Sequence, residues 1–177
     1  QSANTVVISD MPAISTGLAD ELKKFTAQGG TIILFPDSEL NPSSWKNFLL
    51  QLGADTYEAL NYSENSVQKI ELKDELFKDV FEKITENINL PSVKNHYELS
   101  SGSHSTRETL ISLQGGSPLL CRYHTGKGTI YLFTVAASED AGNFVTHALF
   151  VPVLTRAALL SVQNVNIVYI IGNNSNI

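Results

Sequence analysis

The chain has 177 residues, a formal net charge of −6 and a pI of about 5.1, which suits one acidic domain with a short extension. It lacks the clustered lysines and arginines of a nucleic-acid surface, so we expect no nucleic-acid partner. No run of residues is long and apolar enough to cross a bilayer. The single cysteine, Cys121, excludes an internal disulfide and a multi-cysteine metal site.

Residues 14–36 predict a helix, a glycine stop and a buried strand. Leu18, Leu22 and Phe25 fall at i, i+4 and i+7, which places them on one apolar face of the helix. Residues 31–35 form a continuous β-rich run, which suits a strand covered on both faces. This stretch is the part of the sequence around which the rest is organised.

A similar strand at residues 5–8 completes a β-α-β unit. Its loop ends are Ser9-Asp10-Met11 and Pro36-Asp37-Ser38-Glu39. In open α/β sheets, ligands bind beyond the carboxyl ends of the parallel strands. These two loops are therefore the first places to look for a site.

The next elements are less regular. A second helix is predicted from Ser43 or Ser44 to Gly53. Residues 55–70 predict a loop that runs into a short strand, and residues 75–84 predict an amphipathic helix.

The hydrophobic period shifts toward two between residues 93 and 135, which predicts an antiparallel region. Glycine-rich turns separate its strands. The predicted strands are 97–99, 108–113, 119–123 and 129–135.

Residues 144–160 predict a helix that Pro152 either splits or begins. Residues 165–171 predict a strand. We expect residues 1–160 to form one α/β domain and residues 161–177 to be a tail or the start of a following domain. The predicted fold is an α/β fold with a partly parallel sheet flanked by helices, of the flavodoxin-like or glutamine-amidotransferase-like kind, with an antiparallel insertion.

Four segments resemble one known arrangement: VVISDMPAISTGLADELKKFTAQGGTIILFP, the predicted helix with NLPSV at 75–93, GGSPLLCRYHTGKG, and NFVTHALFVPVLTRAAL. They are similar to the class I glutamine-amidotransferase-like domain of membrane-anchored, BatA-like proteins encoded in aerotolerance operons of Bacteroidota. The resemblance covers most of residues 5–160. It implies a domain on the periplasmic face of the inner membrane, anchored by segments outside this chain, with protein partners in an envelope complex.

An active amidotransferase of this fold needs a cysteine at a sharp turn after a central strand, activated by a histidine and an acid. The corresponding strand end here carries Pro36-Asp37-Ser38, without cysteine and without the glycine pattern of a nucleophile elbow. Cys121 falls within an alternating strand, where a thiol is normally an inert apolar side chain. We therefore assign no catalytic residue and expect no cofactor.

Ser38 is the alternative nucleophile, although the spacing selects no base for it. The available histidines are His96, His104, His124 and His147. A serine after an aspartate in a polar loop is usually a turn or capping residue.

The acidic loop ends are the candidate ligand site. Asp10, Asp37 and Glu39 could gather at the carboxyl edge and hold Ca²⁺ or Mg²⁺, although acidic loops often bind nothing. A third loop, after the strand at 129–135, adds Ser138, Glu139, Asp140 and Asn143 to this candidate site. The alternative is that these residues have a structural role, as the capping and acidic residues at the N-terminus of a helix.

Two further motifs have structural readings. Gly126-Lys127-Gly128 joins two strands and so predicts a hairpin turn, where a phosphate loop would lead into a helix. Arg156 predicts an ion pair with an acid on a neighbouring element.

The sequence favours a non-catalytic binding or scaffolding domain of a membrane-anchored envelope protein. The alternatives are a serine hydrolase using Ser38 and a small-ligand or cation sensor using the acidic loop ends.

Overall fold

The computed structural model describes residues 4–78, 80, 89–100 and 106–163. The helices in this part are α1 (Thr16–Ala27), α2 (Pro42–Leu52) and α3 (Phe150–Gln163). The strands are β1 (Thr5–Ile8), β2 (Thr31–Leu34), β3 (Tyr57–Asn61), β4 (Asn65–Ile70), β5 (Ser92–Val93), β6 (His96–Leu99), β7 (Glu108–Leu113), β8 (Pro118–Thr125) and β9 (Gly128–Phe133).

The strands form one mixed sheet in the order β1-β2-β9-β8-β7-β4-β5 and a separate pair, β3-β6. Strands β1, β2 and β9 are parallel, and the pairs from β9 outward to β5 are antiparallel. The predicted α/β class with a partly parallel sheet and an antiparallel region is confirmed. The boundary differs from the expected insertion, because β9 belongs to the parallel centre while β4 and β5 extend the antiparallel side.

Strand β2 is the centre of the core because all of its residues are buried. Ile32 and Leu34 pack in a cluster with residues of α1 and α2, such as Leu22. Ile33 and Phe35 pack in a second cluster with residues of α3. The continuous apolar run that predicted a strand covered on both faces therefore serves both halves of the core.

Helix α2 begins earlier than expected. Asn41 is its capping residue, and its side-chain oxygen accepts a hydrogen bond from the backbone N–H of Ser44. Pro42 occupies the first turn, where its missing N–H costs nothing. Gly53 ends the helix with φ 73°, as its position predicted.

The predictions for residues 55–84 are wrong in two places. Residues 55–70 contain two strands, β3 and β4, where a loop and one short strand were predicted. Each has a single buried residue, which leaves little hydrophobic period to detect. Only a 3-10 turn forms at Glu75–Phe77, and Lys78 is extended. The reason is that Leu76 and Phe77 both enter the core beside α3. The rest of the predicted helix, apart from residue 80, lies outside the described residues.

Helix α3 starts after a series of turns at residues 144–149, with Pro152 in its first turn. Ser161 near its end shares a hydrogen bond of 2.8 Å with Thr5 of β1.

The division of the chain at residue 160 stays a prediction, and the strand predicted at 165–171 lies outside the described residues. Among the helices described, none is long and apolar enough to cross a membrane.

The close approach of α1 to the start of β9 yields a stability prediction. A Cβ atom added at Gly128 would meet the carbonyl oxygens of Thr26 and Gly30, whereas one added at Gly17 of α1 would meet nothing within 4 Å. We expect Gly128→Ala to lower the free energy of unfolding by about 1–3 kcal/mol. The matched Gly17→Ala should leave it unchanged or raise it by up to about 1 kcal/mol. Urea titration measures both, and equal effects would contradict the described packing.

Candidate functional site

The carboxyl ends of β1, β2 and β9 meet at one edge of the sheet, here called the carboxyl edge, where this type of fold binds ligands. The antiparallel pair β3-β6, here called the ribbon, lies across that edge. The Tyr57 hydroxyl donates to the Phe133 carbonyl at 2.7 Å, at the end of β9. The backbone N–H of Tyr97 donates to the Thr134 carbonyl, also at 2.7 Å. The ribbon is therefore bound directly to the end of the central strand.

Aromatic side chains also donate hydrogen bonds to the loops that follow the other two parallel strands, β1 and β2. The Tyr97 hydroxyl lies 3.0 Å from the Asp37 carbonyl and 3.3 Å from that of Ser38, in the loop after β2. The indole N–H of Trp45 donates to the Met11 carbonyl at 3.0 Å, in the loop after β1. Each parallel strand therefore has one aromatic donor bound to the backbone at or just after its carboxyl end.

These three aromatic side chains also pack on one another. The ring centroids of Trp45 and Tyr57 are 5.6 Å apart, and those of Tyr57 and Tyr97 are 5.3 Å apart. All three residues are buried. Burial raises the pKa of both tyrosines, so their hydroxyls remain protonated donors. The carboxyl edge is therefore filled by the protein's own side chains.

The acidic residues predicted as ligands lie in the loops at this edge. The hydrogen bond described for their side chains, that of Asp37, stabilises a turn. The Asp37 carboxylate accepts the backbone N–H of Glu39 at 2.7 Å, which makes a tight Asx turn. Ser38 and Glu39 are exposed. Asp10 is exposed with φ 53°, a left-handed conformation that aspartate tolerates. No group of three or more His, Cys, Asp or Glu side chains with a metal-binding arrangement occurs in the described part of the chain.

The acidic residues after β9 lie at the start of a short turn of helix, with Ser138 as its capping residue. The Ser138 hydroxyl accepts the Asp140 N–H at 3.1 Å, and Glu139 begins a short 3-10 turn. The side-chain oxygen of Asn143 accepts the Ser92 N–H at 2.8 Å and so ties this loop to β5. Ligand binding at Asp10, Asp37, Ser38, Glu39, Glu139, Asp140 and Asn143 stays a prediction.

None of the hydrogen bonds in the described ranges joins Ser38 to a histidine. His96 is buried, and neither of its ring nitrogens has a partner. His124 lies 3.9 Å from the Glu108 carboxylate, and the Nε2 of His147 is 2.6 Å from the Asn89 carbonyl. His104 lies outside the described residues.

Cys121 is in the middle of β8, paired with Leu132 of β9 and Thr109 of β7. It is completely buried, and burial raises the pKa of its thiol to about 11. Reactive cysteines have lowered pKa values and accessible sulfur atoms. Cys121 therefore has the environment of a structural residue.

A buried polar cluster centred on Asp55 was not predicted from the sequence. The Asp55 carboxylate, 1% exposed, accepts hydrogen bonds from Arg107 at 3.0 Å and from the Tyr123 hydroxyl at 3.1 Å. Burial, with the charges of neighbouring groups, raises the pKa of Tyr123 well above its ordinary value. An aspartate in a polar segment gives no signal that it will be buried, and its partners are more than fifty residues away.

A second cluster lies on the α3 face of the sheet. Arg122 makes two hydrogen bonds with the Asp74 carboxylate, at 2.6 and 2.9 Å, and one of 2.6 Å with Glu108. Burial opposes the charge on Arg122, but these carboxylates outweigh it and raise its pKa. Arg122 and Asp74 border a cavity of about 230 Å³, together with Tyr131 and Leu160.

The two remaining motifs have structural roles. Residues 126–127 form the hairpin turn between β8 and β9, where Thr125 pairs with Gly128. The Arg156 guanidinium donates to the backbone carbonyl of Glu75 at 3.1 Å, where an acidic side chain was expected.

The fold is that of the class I glutamine-amidotransferase-like proteins. Two solved proteins of Salmonella typhimurium are similar: cytoplasmic protein STM3548, with a TM-score of 0.69 and 11% identity, and cytoplasmic protein STM1381, with 0.68 and 14%. In each case the match covers 89% of this chain and 71% of the other. The β-galactosidase of Bacillus circulans sp. alkalophilus matches with a TM-score of 0.63 and 16% identity over 90% of this chain, but over only 23% of its own.

These identities show a shared fold and nothing more specific. The sequence matches no family model, and no curated protein matches it. The predicted amidotransferase-like fold is thus confirmed by structure alone.

The hydrogen bond from Tyr57 to the end of β9 gives a direct mutational test. Tyr57→Phe removes the donor and leaves the buried Phe133 carbonyl without it, which should lower the free energy of unfolding by about 1–3 kcal/mol. Tyr62→Phe is the matched control because Tyr62 is 78% exposed, and it should change stability by less than about 0.5 kcal/mol. If both variants unfold at the same urea concentration as the wild type, the ribbon is not bound as described.

Proposed function

We propose that this chain is a non-catalytic domain that binds protein partners and holds them in a cell-envelope complex. The observation that carries the proposal is the sealed carboxyl edge: Trp45, Tyr57 and Tyr97 donate hydrogen bonds to backbone carbonyls at the ends of all three parallel strands. An enzyme of this fold class needs that edge open to a substrate. A binding domain does not.

The loop after β2 supports the same proposal. A nucleophile at this turn requires a base within about 2.6–3.2 Å and a neighbouring space for the reacting atom. Here the Ser38 carbonyl is bound by Tyr97, and the described histidines have other surroundings. The thiol that the fold class uses is replaced by a turn of Asp37 and Glu39.

The likeness to a β-galactosidase supports a role within a larger protein. The matched part is 23% of that enzyme's chain, so the fold is present there as one portion of a multidomain protein. A domain of this size contributes contacts to such an assembly without needing a reaction of its own.

The proposal is tested with a serine-directed fluorophosphonate probe on the folded chain. We expect no labelling above that of the denatured protein, because Ser38 lacks a base to activate it. Ser38→Ala and Ser63→Ala form the comparison, since both serines are exposed in turns. Labelling of the wild type and of Ser63→Ala, but not of Ser38→Ala, would establish the serine hydrolase alternative.

Placement on the periplasmic face of the inner membrane, in a BatA-like membrane-anchored protein, is part of the proposal and is supported by the sequence resemblance. The test is alkaline phosphatase fused after this domain in the full-length parent protein, because that enzyme is active only where its disulfides form. We expect an active fusion. An inactive phosphatase, together with a fluorescent cytoplasmic reporter fused at the same position, would place the domain in the cytoplasm.

A further inference from the structure

The ribbon contains a buried histidine whose environment differs from that of the other described histidines. His96 lies on β6, paired with Asn61 of β3, and is 2% exposed. Neither Nδ1 nor Nε2 has a hydrogen-bond partner. A buried polar group without a partner carries a cost of about 1–3 kcal/mol, and a charged one costs more. The structure therefore tolerates the neutral ring and opposes its protonation.

The next residue in the chain holds the ribbon on the carboxyl edge. Tyr97 contributes two of the contacts that seal the edge: its N–H binds Thr134, and its hydroxyl binds the carbonyls of Asp37 and Ser38. Because adjacent residues of a strand point to opposite faces, His96 and Tyr97 are positioned by the same segment of backbone. A displacement of β6 that brings the imidazole to water must also break the Tyr97 contacts.

We propose that the ribbon is an acid-released cover, in which protonation of His96 detaches β3 and β6 from the carboxyl edge. Uptake of one proton by the imidazole creates a positive charge in a place without an acceptor. Outward movement of the ribbon hydrates that charge and exposes the backbone after β2 and β9. This inference goes beyond the proposed binding role, because it makes the seal conditional on pH.

The local electrostatics favour this direction of coupling. Burial lowers the pKa of His96, and Glu98 opposes that shift only in part. Glu98 is the charged side chain found to act on His96 among the described residues; it is exposed and shares a 3.5 Å hydrogen bond with Asn61. In the released state the pKa returns toward its ordinary value of 6.5. Below that pH the released state binds the proton more tightly, so acid favours release and neutral pH favours closure.

Trp45 is a built-in probe of this movement. It is the only tryptophan, it is fully buried, and its ring packs against Tyr57 of the ribbon. In a sub-denaturing concentration of urea that brings release of the ribbon close to balance, we expect its emission to shift to longer wavelength between pH 7.5 and 5.0 as the ribbon leaves. The equilibrium constant for release should rise by up to about tenfold for each pH unit below 6.5, because the released state binds one more proton than the closed state. Far-ultraviolet circular dichroism should retain the signal of the main sheet.

His96→Leu replaces the ring with an apolar side chain that cannot be charged, and it should abolish the acid-induced shift. His124→Gln is the matched control because the His124 side chain is 57% exposed, and it should leave the shift unchanged. A shift that persists in His96→Leu, or that disappears in His124→Gln, would overturn the proposal.

A wild-type measurement keeps the proposal falsifiable if His96→Leu fails to fold. Titration of the histidine ring protons by NMR should show one imidazole with an apparent pKa below 6.5, whose titration moves the amide signals of residues 57–61 and 96–99. If those amides stay fixed down to pH 5.0, or the protein unfolds globally in the same step, the ribbon is not an acid-released cover. Neither result depends on the fluorophosphonate experiment, which tests catalysis.

Discussion

Three aromatic side chains make hydrogen bonds to the backbone at the carboxyl ends of β1, β2 and β9, and the closure of this edge depends on them. Each hydrogen bond is worth about 1 kcal/mol net. Burial of Trp45, Tyr57 and Tyr97 contributes more, about 1.5–3 kcal/mol for each large side chain. The hydrophobic effect therefore drives the ribbon onto the edge, and the hydrogen bonds fix its orientation. Together they turn the usual ligand edge of the fold into part of the core.

The antiparallel half of the sheet is held by charge as well as by packing. Asp55 connects the start of the ribbon to Arg107 and Tyr123, while Arg122 connects β8 to Asp74 and Glu108. Breaking a buried ion pair usually costs more than its formation contributes, because one charge remains uncompensated. These clusters fix residues 74–77 and residues 55–57, the latter in a stretch where the sequence has little apolar periodicity. They also explain how a polar stretch becomes ordered structure.

The sequence predicted those elements in which local preference and burial agree. β1, α1 and β2 were predicted because an apolar helical stripe is followed by a glycine stop and a continuous apolar strand. Only one short strand was predicted where β3 and β4 form, because each has a single buried residue and so lacks the alternation of buried and exposed positions. The helix predicted from residue 75 gave way to a 3-10 turn because Leu76 and Phe77, adjacent in the chain, both enter the core beside α3.

The candidate site was predicted only in its position. The carboxyl edge followed from the β-α-β pattern, and Asp37 and Ser38 do lie there. The seal could not be predicted, since Trp45, Tyr57 and Tyr97 are far apart in the sequence and each alone resembles an ordinary core aromatic. His96 gave no signal either, because its lack of a partner is a property of the folded surroundings.

Tyrosine nitration at neutral pH distinguishes a carboxyl edge that is closed by the protein's own ribbon from one that is open. Tetranitromethane modifies accessible phenols, and peptide mapping locates the products. We predict rapid nitration of Tyr62, which is 78% exposed, and protection of Tyr57 and Tyr97, which are 4% and 6% exposed. Nitration of Tyr57 and Tyr97 at the rate of Tyr62 would show an open edge and contradict the account.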